Sequence, residues 1–269
     1  MKKKIPVELK NIKLKKNMSN KDYHSNDALS CSGIKTIVND SLYNYLNPDP
    51  NREPSKAMIM GSATHSFLLE KDKFLTEFYI MPKIDKRSKA GKEEFAWHNK
   101  RAEGKMIIDD DEYQILQKME YNRDKIQLAR RSCEGKIEQS YFGEYDGVKI
   151  KVRPDIIHES DGGRFIADIK TTRNIKPQAF KYECKKLGYH IQAHFYSAML
   201  GFYPKAFRII AIENVHPYKV DVFTLSDDLL EEGEMLWKNA VSQYKKYLET
   251  GKPHGHLWHK QNAWGCKIL

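Results

Sequence analysis

The stretch from Val152 to Thr172 decides the fold, and it reads V-R-P-D-I-I-H-E-S-D-G-G-R-F-I-A-D-I-K-T-T. Two apolar runs flank a turn rich in Ser, Asp and Gly, and this pattern predicts a β-hairpin. Side chains alternate between faces along a strand, so Asp168 and Lys170 share one face and Ile169 points to the other. The hairpin would bring Asp155 back beside the first face. We therefore expect two carboxylates and one amine to cluster at the end of a hairpin.

Such a cluster is typical of a metal site for phosphoryl chemistry. Neighbouring carboxylates repel each other unless they are neutralised, and Mg²⁺ or Mn²⁺ binds one or two of them while keeping positions for water and phosphate. The ion would activate a water, and a nearby lysine would offset phosphate charge. The alternative is a surface hairpin with an ordinary Asp–Lys cross-strand pair. The Pro-Asp pair and the apolar lead-in Phe165–Ala167 favour the metal site, because burying unpaired charges is costly.

Length and composition indicate a globular protein. The 269 residues are 40% hydrophobic and 30% charged, which is enough for one large domain or at most two. No window approaches the roughly 20 apolar residues of a membrane span, and the N-terminus lacks the apolar core of a secretory signal. The cysteines contain no C-x-x-C pair, which argues against a zinc ribbon or a clustered iron–sulfur site and fits reduced cytoplasmic thiols. They are Cys31, Cys133, Cys184 and Cys266.

The net charge of +10 favours a polyanionic partner, most simply nucleic acid. The alternative is solubility alone, because residues 1–17 carry seven Lys against one Glu and so hold much of the excess. We predict a flexible basic arm over residues 1–18 and a single domain over residues 19–269. The final stretch, which contains Trp258 and Trp264, is expected to pack on the body or to form a subunit contact.

A helix is predicted from Lys56 to Glu70, and it places Ala57, Gly61 and His65 on one stripe. A glycine on that stripe costs helix stability, which indicates that something approaches closely there. His65 is then either a metal ligand presented at the sheet or a buried, hydrogen-bonded histidine, which is the more common case.

Three strands are predicted around the decisive stretch, at Ile137–Phe142, Val148–Ile157 and Arg164–Lys170. With an Asp-Gly turn between the first two, they would form a three-stranded antiparallel meander. Glu138 on the first strand either joins the site or pairs with a Lys or Arg.

A later helix, Tyr189–Leu200, places Gln192 and Tyr196 on one face at i, i+4. An amide and a hydroxyl there can orient a phosphate or a reacting water. The alternative is an ordinary polar helix surface. Strands are predicted after this helix at Phe207–Glu213 and Val220–Leu225.

Four motifs occur in an order that resembles a known superfamily: G-S-A-T-H at 61–65, R-P-D at 153–155, D-I-K-T-T at 168–172 and Q-A-H-F-Y at 192–196. The ordered set resembles the PD-(D/E)XK nuclease superfamily, in its RecB-like/lambda-exonuclease branch. The runs Y-H-S-N-D-A-L-S, H-S-F-L-L-E and G-Y-H-I-Q look most like RecE-type exonucleases of phages and prophages. The resemblance covers roughly residues 22–250. It implies an α/β (α+β) fold with a restriction-endonuclease-like core, in which a mixed central β-sheet is flanked by helices.

The resemblance also implies the metal ligands. In that superfamily the His of the helix motif, the Asp of the Pro-Asp pair, the acid of D-x-K and the carbonyl after that acid bind metal. These positions are His65, Asp155, Asp168 and the Ile169 backbone. The expected cofactor is Mg²⁺, with Mn²⁺ as a substitute, and two ions about 3.5–4 Å apart in one site.

Further catalytic roles follow from the same resemblance. Lys170 would activate or position the attacking water. Gln192 and Tyr196 match the Q-x-x-x-Y helix that supports the site and contacts substrate, and Glu138 lies where the superfamily often has a Glu. The cysteine spacing does not match the branch that carries an iron–sulfur cluster.

The activity implied is that of a metal-dependent exodeoxyribonuclease that degrades linear double-stranded DNA from the 5′ end in phage-type homologous recombination. The implied partners are DNA ends, further copies of the chain in a ring-shaped trimer or tetramer, and a single-strand annealing protein. We expect it in the cytoplasm of a bacterial host cell, with no membrane partner. Two alternatives stay open: a repair-type endonuclease of the same fold, and an inactive nucleic-acid-binding module. The intact D-x-K, Pro-Asp and His65 argue against the inactive module.

Overall fold

The structure, a computed structural model, describes residues 9–16, 18–160 and 163–253. Its strands are β1 Leu9–Lys15, β2 Leu29–Ser30, β3 Phe78–Met81, β4 Met106–Asp109, β5 Lys136–Ile137, β6 Ser140–Tyr145, β7 Val148–Val152, β8 Ile156–Ser160, β9 Gly163–Thr172, β10 Phe207–Glu213 and β11 Val220–Phe223. Its α-helices are α1 Asn20–Ser25, α2 Cys31–Asn39, α3 Leu42–Leu46, α4 Lys56–Leu69, α5 Lys71–Glu77, α6 Lys89–Arg101, α7 Asp110–Lys125, α8 Gln127–Ser132, α9 Pro177–Lys186, α10 Tyr189–Leu200 and α11 Asp227–Thr250. A short 3₁₀ helix, Pro204–Ala206, precedes β10.

A five-stranded sheet in the order β11-β10-β9-β8-β5 forms the centre of the fold. The β9–β10 pair is parallel and its neighbours are antiparallel, so the sheet is mixed. Helices α9 and α10 make the crossover that a parallel pair requires. A second sheet has the order β1-β6-β7-β2, and β3 pairs with β4 in parallel. This arrangement confirms the predicted α/β fold with a mixed central sheet flanked by helices.

Alternation along β9 divides the core between the two faces of the sheet. Ile166 belongs to the cluster that α2, α10 and α11 complete, and Trp237 of α11 is fully buried in it. Ile169 belongs to the cluster on the opposite face, where Ala63 and Phe67 of α4 also pack. Asp168 and its i+2 neighbour therefore lie on the face toward α10, as the period of two predicts.

The predicted three-stranded meander is wrong, because its strands belong to two sheets. The strand predicted over 148–157 is two strands, β7 and β8, separated by Pro154, which has no backbone N–H to give to a ladder. The strand predicted over 137–142 is likewise interrupted by Glu138, whose φ of +50° is incompatible with a regular strand. The chain thus passes between the sheets at two points, and both become part of the candidate site.

The N-terminal segment also differs from the flexible arm expected over residues 1–18. Leu9–Lys15 form β1, which pairs antiparallel with β6. Leu9 packs against the core, and the Lys15 ammonium lies 4.9 Å from the centre of the Phe142 ring. The many lysines correctly suggest an exposed segment, but they do not reveal that it forms a strand, because its partner β6 lies far along the chain. The predictions for the C-terminal tryptophans concern residues outside those described.

Of the helices in the described part of the chain, none combines the length and the apolar character that crossing a membrane requires.

Candidate active site

The Pro-Asp segment between β7 and β8 places a carboxylate at the edge of the central sheet. The antiparallel pairing of β8 with β9 reaches Ile156 opposite Ala167. Asp155 directly precedes this pair, and its side chain takes the role of a backbone acceptor: Oδ2 accepts a 2.8 Å hydrogen bond from the backbone N–H of Ile169. The same oxygen lies 3.0 Å from Nδ1 of His65 on α4. Asp155 is 6% exposed, so these contacts replace water as its partners.

The Asp155–His65 pair is an ion pair at neutral pH. Burial by itself would raise the pKa of Asp155, but the charge and hydrogen bond of His65, the charge of Lys170 and the Ile169 N–H hold that pKa below its ordinary value. Burial would lower the pKa of His65, yet the charge of Asp155 raises it to about 9. Opposite charges close together favour both charged forms.

A third side chain completes what we call the cleft-facing cluster, defined as His65, Glu138 and Asp155. One ligand atom from each lies within 4.8 Å of those of the others. The backbone N–H of Glu138 donates to the Asp155 carbonyl over 3.1 Å, which explains how the irregular residue is held at the sheet edge. Burial, followed by the charge of Asp155, raises the pKa of Glu138 to about 7. Two carboxylates that share one imidazole suit a hard divalent cation.

Behind this cluster lies what we call the buried network: Asp168, Lys170 and Gln192. Asp168 is 1% exposed; its Oδ2 pairs with the Lys170 ammonium and its Oδ1 accepts a 2.6 Å hydrogen bond from Gln192 Nε2. Burial and the charge of Asp155 raise the pKa of Asp168, against the opposing charges of Lys170 and His65. Burial would lower the pKa of Lys170, but the charges of Asp168 and Asp155 raise it well above its ordinary value.

Helix α10 brings two of the predicted residues to a cleft of about 650 Å³. Gln192 and Tyr196, one turn apart, both line it and are both 7% exposed. Burial raises the pKa of Tyr196 well above its ordinary value, so its hydroxyl stays protonated. Gly61 of α4 also faces the cleft, and a Cβ added there would meet nothing within 4 Å. No part of the described chain fills the space beside the glycine, which leaves it for a ligand.

Two basic residues of the cleft received no role from the sequence. Arg153, the residue before Pro-Asp, donates to Ser140 Oγ over 2.8 Å and to the Met18 carbonyl over 3.0 Å, and its Nε lies 4.0 Å from a Glu138 oxygen. Lys35 of α2 donates to Gln192 Oε1 over 2.9 Å. The R-P-D motif was a signal for Arg153. For Lys35 the sequence carried none, because its partner is 157 residues away.

Ser30 caps the helix that carries Lys35, because its hydroxyl accepts a hydrogen bond from the Gly33 N–H over 3.2 Å.

All eight predicted residues thus lie at or beside one cleft. Six of them form the cleft-facing cluster and the buried network, Tyr196 lines the cleft, and Ile169 contributes its backbone. The backbone N–H of Ile169 supports Asp155. A metal-binding role for the Ile169 carbonyl stays a prediction, as does one for Asp168, whose carboxylate pairs with Lys170.

Comparisons with known proteins give a family and a fold. A family model described as "PDDEXK-like domain of unknown function (DUF3799)" matches residues 30–255. No curated protein matches the chain. The crystal structure of a "Putative exonuclease" from Eubacterium rectale superposes with a TM-score of 0.60 at 16% sequence identity, covering 89% of this chain and 90% of that one. The structure of SSO0001 is 15% identical over 66% of this chain and 85% of its own, with a TM-score of 0.27 that is too low to indicate a shared fold.

Proposed function

We propose, because this chain belongs to the family of PDDEXK-like domains, that it is a metal-dependent deoxyribonuclease. The observation that carries the proposal is the cleft-facing cluster, in which His65, Glu138 and Asp155 bring their ligand atoms within 4.8 Å of one another. The other motif residues of the superfamily, Asp168, Lys170, Gln192 and Tyr196, lie beside this cluster at the cleft. Phosphodiester hydrolysis is the chemistry for which this combination of carboxylates, imidazole and ammonium is suited.

The side chains of the cluster fit a divalent cation. Burial and then the charge of Asp155 raise the pKa of Glu138 to about 7, and a cation would offset both effects. The three side chains would hold Mg²⁺, with Mn²⁺ as a substitute, and Asp168 and the Ile169 carbonyl would serve a second ion. When bound, such ions polarise the phosphate and lower the pKa of a water molecule.

The buried network would orient the groups that meet the substrate. The raised pKa of Lys170 keeps its amine protonated, so it acts as a hydrogen-bond donor and a positive charge rather than as a base. From that position it would hold the attacking water or a phosphate oxygen. Gln192 fixes one oxygen of Asp168 and thereby the direction of the other. The protonated hydroxyl of Tyr196 on the cleft wall would donate to a phosphate oxygen.

For the substrate we propose the ends of linear double-stranded DNA, degraded from 5′ to 3′. Lys35 and Arg153 place positive charge at the cleft, which favours a polyanion, and the Eubacterium rectale protein of similar fold is described as a "Putative exonuclease". The RecE-like motifs further support a role in phage-type recombination, with a ring-shaped oligomer and a single-strand annealing protein as partners. An endonuclease of the same fold would use the same residues and differ in how DNA reaches them.

Digestion of end-labelled linear duplex DNA tests this proposal. We expect early release of the 5′ label in Mg²⁺, none in EDTA, and covalently closed circles left intact. The Asp168→Asn protein should be inactive. Lys245→Ala should behave as wild type, because the Lys245 amine on α11 pairs at 2.8 Å with Asp146 in the β6–β7 turn and belongs to neither group of the site. Early release of the 3′ label would reverse the proposed polarity. Cut circles would establish an endonuclease, and no cleavage in any metal would refute nuclease activity.

A further inference from the structure

Lys35 is the one basic residue on α2 that reaches the buried network, and its environment is unusual for a lysine. The side chain is half-buried at the cleft, and its ammonium donates to Gln192 Oε1 over 2.9 Å. The charges of Asp168 and Asp155 favour the ammonium from a distance, but the acceptor that it contacts is the neutral amide of Gln192. A partly buried charge whose direct acceptor is a neutral amide requires a reason other than stability.

The fold makes room for this side chain at the start of α10. Gly188, with φ of +66°, caps that helix, and a Cβ added to it would lie 3.1 Å from Lys35 Cγ. The next residue, Tyr189, places its ring 5.4 Å from the Lys35 ammonium and 5.1 Å from that of Lys170. The glycine thus clears the path of the lysine stem, and the aromatic ring lies near both cations and favours them.

The hydrogen bonds of Gln192 show what the lysine does. A glutamine amide has one accepting end and one donating end, and the two ends look alike in shape. Here Nε2 donates to Asp168 and Oε1 accepts from Lys35. A carboxylate can only accept and an ammonium can only donate, so the two neighbours permit a single orientation of the amide. Without Lys35 the Gln192 oxygen loses its donor, so the single hydrogen bond to Asp168 is all that holds the amide in place.

We propose that Lys35 is a positioning residue that fixes the Gln192 amide and, through it, the Asp168 carboxylate. The inference rests on the proposed nuclease function. Gln192 occupies one oxygen of Asp168, and the other oxygen pairs with Lys170, to which we assigned the attacking water or a phosphate oxygen. The competing role, a direct contact between the Lys35 ammonium and a DNA phosphate, would make the residue part of the binding surface instead.

A double-mutant cycle separates these roles. Lys35→Met keeps the length of the stem and removes the donor, and we expect kcat to fall about 10- to 100-fold, with KM for DNA changed by less than about twofold. Lys35→Arg, which restores a donor, should recover most of kcat. In a Gln192→Leu background Lys35→Met should have no further effect, because the amide it orients is gone. Lys245→Met is the matched control and should leave both constants unchanged.

Other results would overturn the inference. An equal effect of Lys35→Met in the Gln192→Leu background, or a change in KM alone, would show that the lysine acts on DNA directly. A second readout needs no DNA: the side-chain amide resonances of Gln192 should shift in Lys35→Met and stay in place in Lys245→Met. Unmoved resonances would refute the contact. A wild-type protein that cleaves nothing would contradict the proposed function and the catalytic part of the inference, while the resonances would still decide whether Lys35 holds the amide.

Discussion

The cleft-facing cluster and the buried network each contain an aspartate with a charged partner, but the pKa values of these two aspartates shift in opposite directions. The pKa of Asp155 is held below its ordinary value because His65 and the Ile169 N–H outweigh burial. The pKa of Asp168 is raised, because burial and the charge of Asp155 outweigh Lys170. Environments that push the pKa values of neighbouring groups apart are a means of giving them different tasks.

The two sites also differ in whether protein partners already neutralise their carboxylates. In the buried network Asp168 Oδ1 accepts from Gln192 and Oδ2 lies against the Lys170 ammonium, so the carboxylate has a protein partner on each side before any ligand arrives. In the cleft-facing cluster His65 pairs with Asp155, and Glu138 lies beside them with a pKa that burial and the charge of Asp155 raise to about 7. We infer that the cluster is where the first cation binds, and that the network orients the attacking water and supplies Asp168 to a second ion.

Asp168→Asn tests the role of the buried network, and we expect it to have the largest effect. The substitution leaves the Lys170 ammonium buried without its counter-charge, so we expect a loss of about 3–5 kcal/mol in the free energy of unfolding. Cleavage should fall by about 10³-fold or more, since the oriented donor is lost. Urea unfolding and kcat/KM measure the two effects. Adding Lys170→Met should restore stability but not activity, and an active single mutant would contradict the role of the network.

The second test follows the pH dependence of the Asp155–His65 pair. The folded pKa of His65, about 9, exceeds the ordinary value of 6.5, so its stabilising contribution is fully present below pH 6.5 and is lost as the pH rises through 9. We expect the metal-free protein to lose about 2–3 kcal/mol between these limits. Urea unfolding across that range measures it. His65→Gln, which cannot titrate, should flatten the profile; an unchanged slope would mean that other groups cause it.

Glu138→Gln sharpens the comparison because its two effects should have opposite signs. Removing a carboxylate whose charge is disfavoured should raise the free energy of unfolding at pH 8 by about 1–2 kcal/mol. Removing a ligand should weaken Mg²⁺ binding by at least about tenfold. Thermal unfolding and calorimetric titration report the two quantities. A less stable protein that binds Mg²⁺ normally would place Glu138 in the framework instead of the cluster.

The smallest expected effect concerns the open space beside Gly61. Gly61→Ala should stabilise the protein by about 0.5–1 kcal/mol, because alanine costs less backbone entropy in a helix and meets nothing in the cleft. Gly61→Leu would fill the space, and we expect a higher KM for DNA with the stability retained. Thermal unfolding and steady-state kinetics provide the comparison. Normal kinetics of the leucine variant would show that DNA does not pass this point.

The local part of this site could be predicted from the sequence. The period of two along Phe165–Lys170 predicted correctly that Asp168 and Lys170 share a face, and the helix predicted over Lys56–Glu70 is present over Lys56–Leu69. These features depend on neighbours within a few residues, where side-chain periodicity holds.

The parts of the site that depend on distant residues could not be predicted. The strand before Glu138 has only two residues, and the Pro-Asp segment that crosses between the sheets is irregular, so neither shows a periodicity. The pairing of β1 with β6 joins segments about 130 residues apart, so the lysines of β1 predicted an arm. The contact of Lys35 with Gln192 spans 157 residues and appears only when α2 and α10 pack together.

The Mg²⁺ dependence of linear duplex DNA cleavage, compared between wild type and His65→Gln, tests the central claim most directly. We predict no cleavage in EDTA, cleavage that rises with Mg²⁺ in the wild type, and a half-maximal Mg²⁺ concentration at least about tenfold higher in the variant. Equal Mg²⁺ curves for the two proteins, or cleavage without any metal, would contradict the assignment of the cleft-facing cluster as the metal centre of a nuclease.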